Sequence, residues 1–187
     1  MDHTLLSKIA RDAIEESFEK ECVIDRDSLV ADHPELLEKR ATFVTLTING
    51  ALRGCIGSIE PNRALIDDLI SNARSAAFRD PRFKPLTKEE YLRSSVEISL
   101  LTPPQPLPYS DSDDLKSKIR PGEDGVILKK GSYQATFLPQ VWEQLPTFEL
   151  FFSHLGQKAG IGNDVLQMHP DVLTYQVEHF EEGSLNG

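Results

Sequence analysis

Cysteine is scarce in this chain: two in 187 residues, Cys22 and Cys55. Two cysteines build neither a disulfide framework nor a zinc spacing, and a reducing compartment is the simplest setting for them. Long apolar runs are missing too, so nothing is of a length to span a bilayer. The opening "MDHTLLSKIARDAIEESF" is a charged amphipathic stretch without the apolar centre of a secretory leader. A cytoplasmic protein with no membrane attachment is expected. Base is in deficit, with 20 Lys and Arg against 30 Asp and Glu and a net charge of -10. The deficit sits at the ends. Residues 1–40 hold 11 acids and 6 bases, and residues 164–187 hold 5 acids and no base, while 41–163 balance at 14 of each. An acidic chain repels phosphate backbones, which disfavours nucleic acid as a partner. The stretch with Arg74, Arg79, Arg82 and Lys84 against Asp80 alone is the one local basic patch, and an RNA-associated role would have to use it. The five histidines, at 3, 33, 154, 169 and 179, do not pair at ligand spacing. No metal site is expected from spacing, although ligands converging from distant segments escape such a reading. No Walker loop, dinucleotide fingerprint or nucleophile elbow is present, and the sequence names no cofactor.

What is present is enough to fold. Hydrophobic residues make up 39% of the chain and charged residues 27%, the balance of a globular domain. Leu5, Ile9, Ala13 and Phe18 recur at helical spacing behind a possible cap at Thr4. Residues 19–40 are polar and acidic, with a short helix expected in "HPELLEKR". At "ATFVTLTI" the period changes to two, and Asn49-Gly50 then supplies the strongest short hairpin signal. "LRGCIGSI" is the returning strand. A helix opening at Asn62 would carry Leu65, Ile66, Leu69, Ile70, Ala73 and Ala77 on one stripe, ending where Pro81 pushes Asp80 out of helical geometry. Thr87 to Glu90 has capping-box spacing. "SVEISLL" reads as a strand, "TPPQPLP" as irregular because proline removes backbone donors, and "DSDDLKSKI" as a short helix. "VILKKGSYQATFL" reads as a second hairpin, "PTFELFFSHLGQKAG" as a helix and "VLTYQVEHF" as one last strand. Residues 181–187 read as a flexible tail. Hairpins dominate, so the expected class is α+β (α/β in the broad sense), an antiparallel sheet flanked by helices, and the length fits one domain, or one domain with a smaller second subdomain.

The stretch "ALRGCIGSIEP", residues 51–61, concentrates the chemistry. Strict alternation puts Arg53, Cys55, Gly57 and Ile59 on one face of the strand. A guanidinium beside a thiol favours its ionised, nucleophilic form. Gly54 and Gly57 bracket the sulfur, and glycine inside a strand marks close approach by a ligand or by another part of the chain. The plainer reading is that Cys55 is a small buried hydrophobe and the glycines mark bulges.

"LRGCIGSIEP" resembles the signature of the AMMECR-type domain family, also called AmmeMemoRadiSam system protein A. "AAFRDPRFKPLTKEE", "VEISLLTPPQPL", "IRPGEDGVILKKGSYQATFLPQV" and the "QKAG" and "TYQVEHF" segments are similar to its later blocks, so the resemblance spans roughly residues 5 to 180. It implies a single AMMECR-type domain over residues 1–187, with two unequal subdomains. It further implies a cytoplasmic protein and a genomic association with radical-SAM and Memo-like proteins. It implies no particular reaction.

Two functional readings follow. In the first, the chain is an enzyme whose cleft is built on "RGCIG" and "RDPRF". Cys55 is then nucleophile or redox thiol and Arg53 its activating cation. Gly54, Gly57, Arg79, Asp80, Arg82 and Glu97 line the substrate site. Arg79 and Arg82 would hold a small anionic ligand, because guanidinium forks bind two oxygens at once. Glu97 would orient Arg53 or act as a base. In the second, the chain is a non-catalytic partner or adaptor for a radical-SAM or Memo-like protein.

Overall fold

The computed structural model describes residues 1–182, in two compact units: residues 1–101 with the chain from Glu178 onward, and residues 102–177. Its strands are Ala41–Ile48 (β1), Ala51–Gly57 (β2), Ser94–Leu101 (β3), Gln105–Pro106 (β4), Gly125–Lys130 (β5), Tyr133–Phe137 (β6), Asp171–Tyr175 (β7) and Val177–Glu181 (β8). They form two antiparallel four-stranded sheets, ordered β2-β1-β3-β8 and β4-β7-β5-β6. The helices are His3–Glu19 (α1), Arg26–Asp32 (α2), Leu65–Phe78 (α3), Lys88–Arg93 (α4), Ser112–Lys118 (α5) and Phe148–Lys158 (α6). The class is α+β, as the hairpins lead one to expect. No described helix is long and apolar enough to cross a membrane.

In the first unit, α1 and α3 cover one face of the sheet. Leu6, Ile9, Ala13 and Ile14 of α1 meet Leu65, Ile66, Leu69, Ala73 and Ala76 of α3 over Val44, Leu46, Val96, Ile98 and Leu100. These side chains are almost wholly buried, each stabilising by roughly 1.5–3 kcal/mol relative to exposure for a Leu- or Ile-sized group. The hairpin forms because Asn49 and Gly50 accept φ of 53° and 79°, the left-handed pair a two-residue turn requires.

Several boundaries differ from expectation. α1 is capped by Asp2, whose carboxylate accepts from the Thr4 and Leu5 amides, so Thr4 is not the cap. α3 starts at Leu65 without a side-chain cap, with Asp67 and Asp68 in its first turn to complement the dipole. α2 was not foreseen: it buries no residue, so it leaves no apolar period to read. The expected last strand is two strands, β7 and β8, broken at Gln176 and belonging to different sheets. Gln176 accepts from the Thr102 amide and donates to the Thr102 hydroxyl and, from its side chain, to the Asp124 carboxylate. Of the expected tail, Glu181 closes β8 and Glu182 pairs with Arg11, while 183–187 lie outside the described residues.

In the second unit, α6 and the β5–β6 hairpin share an aromatic core. Trp142 stacks on Phe151 at 3.7 Å between centroids and donates from Nε1 to the Asp124 carbonyl.

Candidate functional site

β2 lies at the edge of the first sheet, and its register is the key to the site. Gly57, Ile56, Cys55 and Gly54 oppose Phe43, Val44, Thr45 and Leu46 in turn. Between Leu46 and Thr47 the register slips, and Arg53 is left without a partner on β1. A bulge of this kind re-aims a side chain. Here it breaks the alternation that would place Arg53 beside Cys55. The Arg53 guanidinium instead forks onto Glu90 of α4, with Nε to Oε2 at 2.8 Å and an Nη to Oε1 at 3.1 Å, and donates to the Lys84 carbonyl. It lies over the Phe83 ring. That pairing, with the Thr87 amide, holds the Glu90 carboxyl down at about 2. Arg53 is therefore not the cation at the thiol, and Glu97 does not orient it.

The cation near Cys55 is Arg82. The turn after α3 runs along the free edge of β2. Asp80 accepts the Cys55 amide at 3.0 Å, and the Arg82 guanidinium donates to the Cys55 carbonyl at 3.3 Å. Asp80 and Arg82 thus take the hydrogen bonds a further strand would take, which blunts an edge that would otherwise invite pairing. Asp80 is buried and also accepts from the Arg82 amide, Nε and an Nη. The Arg82 bonds, with those amides, hold its carboxyl far below the usual range. The cation at the thiol is accordingly tethered and partly neutralised. Asp80 has its oxygens committed within the protein.

Cys55 is half-buried, and the Thr45 hydroxyl donates to its sulfur at 3.2 Å. Thr45 pairs with Cys55 on one side and Glu97 on the other. With strands about 4.8 Å apart, Glu97 is roughly 10 Å from Cys55, beyond direct proton transfer. Glu97 faces His179 and Glu181 of β8. Burial, and then Glu181, push its carboxyl upward.

The two glycines are filled by the protein. A Cβ on Gly54 would lie 2.1 Å from the Ala76 carbonyl oxygen of α3, and one on Gly57 would lie 2.2 Å from the Phe43 ring. The close approach expected there is made by the following helix and an aromatic ring. Arg79 is exposed and lines a separate shallow hollow of about 280 Å³ with Arg74, Asp67, Ser71 and Ile70. Among the described residues Arg82 is paired with Asp80, while Arg79 is exposed beside the separate hollow.

Three features were not anticipated. Thr45 reads from sequence as a plain strand residue, and only the bulge sets it against Cys55. His179 and Glu181 share a face at two-residue spacing but look like the end of a strand. Asp68 is buried and accepts from the Thr42 amide and hydroxyl, Ser58, Asn72 and Arg63. It ties the start of α3 to β1, and its signal was only an acid in the first turn of a helix.

An α+β chain of two units, with a cysteine on an edge strand capped by an Asp-Arg turn, has recognisable relatives. The chain belongs to the AMMECR1 family, which it matches over residues 7–180. It is 41% identical to a protein of Methanothermobacter thermautotrophicus over 184 residues, covering 95% of this chain and 92% of that one. A protein of Thermococcus gammatolerans is 39% identical over 189 residues, covering 95% and 88%. The crystal structure of an uncharacterised protein, PH0010, from Pyrococcus horikoshii superimposes with a TM-score of 0.86 at 35% identity, covering 98% of this chain and 93% of that one.

Proposed function

We propose that the face of the first sheet carrying Cys55 is a reacting surface, with Cys55 as nucleophile or redox thiol toward a small anionic ligand. Arg82 takes the role that strict alternation would give Arg53. One observation carries this reading: Sγ accepts the Thr45 hydroxyl at 3.2 Å while the Arg82 guanidinium is anchored at the same residue's carbonyl. A donor and a cation around a partly exposed cysteine are the surroundings of reactive thiols. Gly54 and Gly57 serve this surface indirectly, by letting α3 and Phe43 close on the strand. Arg79 lies apart and contributes at most to a second anion contact on α3. Two free cysteines accord with a reducing, cytoplasmic setting.

The test is the rate of iodoacetamide alkylation of the native protein near neutral pH, followed residue by residue by mass spectrometry. Cys22, which is exposed, is the internal reference. Cys55 is expected to react faster than Cys22, and Thr45→Val and Arg82→Gln to slow it without altering the reaction at Cys22. A Cys55 that reacts no faster than Cys22 overturns the reading. In that case the adaptor reading gains, and retention of a radical-SAM or Memo-like protein by Cys55→Ala is its own test.

A further inference from the structure

The other end of the same polar row carries a second grouping. Glu97 on β3 and His179 and Glu181 on β8 each bring one ligand atom within 4.8 Å of the others. His179 and Glu181 are two apart on one strand, so they share a face, and Glu97 meets them from the neighbouring strand. His179 Nε2 stands 3.8 Å from a Glu97 oxygen. Donors about 2.1 Å from a tetrahedral ion lie roughly 3.4 Å from one another, so small side-chain rotations would complete such a set.

The imidazole is also held from behind. Its Nδ1 is 3.0 Å from the Ser99 hydroxyl, which lies outside the trio and two residues along β3 from Glu97. This is the arrangement by which metal-binding histidines are oriented, one ring nitrogen fixed by a hydrogen-bonding partner and the other presented to the ion. Two carboxylates brought together, Glu97 half-buried and Glu181 exposed, repel each other, and a cation between them relieves that repulsion.

We infer that Glu97, His179 and Glu181 form a site for a divalent first-row transition metal ion. One imidazole and two carboxylates suit Mn²⁺, Fe²⁺ or Zn²⁺. Three protein donors leave coordination positions for water or for an oxyanion, so the site is of the open kind. The inference does not depend on Cys55, which is two strands away and whose reactivity is tested separately.

The experiment is titration of the metal-free full chain with Mn²⁺, followed by loss of the free-ion electron paramagnetic resonance signal, and with Zn²⁺ by calorimetry. One ion per chain is expected. The bound Mn²⁺ is expected to show nitrogen modulation from a single imidazole. Glu97→Gln and His179→Gln should each weaken binding by about 100-fold or more, and Ser99→Ala by about 10-fold, as removal of an orienting partner does. Unchanged thermal transitions would show that these variants fold. Cys22→Ser should bind as the parent does. Binding that persists in the Glu97→Gln/His179→Gln double variant, or no stoichiometric binding of either ion, overturns the inference.

Discussion

The two faces of the first sheet do opposite work. On the face toward α1 and α3, Val44, Leu46, Val96, Ile98 and Leu100 are wholly buried, and Gly54 is cut back until the helix backbone rests on the strand. On the other face, Cys55, Thr45, Glu97 and His179 form a polar row of half-buried and exposed side chains. The first face is held by shape and area. The second carries groups whose value is chemical. Substitutions should therefore divide cleanly: those on the helix face change stability, and those on the polar row change reactivity.

The largest break is expected at Asp68. Asp68→Ala leaves the buried Thr42 and Asn72 donors, the half-buried Ser58 hydroxyl and the partly exposed Arg63 guanidinium without their acceptor, and a cost of about 3–5 kcal/mol is expected from several stranded donors at about 1–3 kcal/mol each. Chemical denaturation would read it. Next comes Gly54→Ala. Its new methyl meets backbone at 2.1 Å and cannot be relieved by a rotamer change, so at least the roughly 1–3 kcal/mol of overpacking is expected. Gly57→Ala, against a ring that can turn, should cost less. If the order of these two glycines were reversed, the account of how α3 seats on β2 would fail.

A smaller effect is expected from acid. Glu90 is held down to about 2 from 4.5 chiefly by its bonds to Arg53. Its contribution to stability is complete above about pH 4.5 and is lost as the pH falls through about 2, because protonation removes the acceptor. Glu90→Gln should flatten that part of an acid-unfolding curve. The smallest effect on stability is expected at Cys55→Ser, about 0.5 kcal/mol, because the near-isosteric hydroxyl can still accept from Thr45. A much larger cost would move Cys55 from the chemical face to the structural one.

Much of this was readable in the chain. The Asn49-Gly50 hairpin, the stripe of α3, the Thr87–Glu90 capping box and the β5–β6 hairpin all follow from local rules, since each depends on neighbours a few residues away. The bulge at Arg53 had a signal too. A two-residue turn without slippage pairs Leu46 with Arg53 and Val44 with Cys55, which sets a guanidinium against the apolar face. Slipping by one returns Gly54 to that face and Cys55 to the other. Strict alternation along β2 alone misses this, because register belongs to the pair of strands. Glu90 was legible as a capping residue, but nothing local shows that its second task is to hold Arg53. The split of "VLTYQVEHF" between two sheets has no local cause either. Its alternation is continuous, and only the pairing partners at Thr102 and Asp124 interrupt it.

By itself the amino-acid sequence determined the two hairpins, the longer helices, the α+β class, the helix-facing residues and the short stretch where chemistry gathers, because period, turn preference and side-chain type act over a few residues; it missed α2, the short β4 inside "TPPQPLP" and the break between β7 and β8. Tertiary structure alone decided which guanidinium meets Cys55, why the two glycines are needed and that Glu97, His179 and Glu181 converge. Those outcomes turn on register and on contacts between distant segments, where a shift of a single residue exchanges one face of a strand for the other.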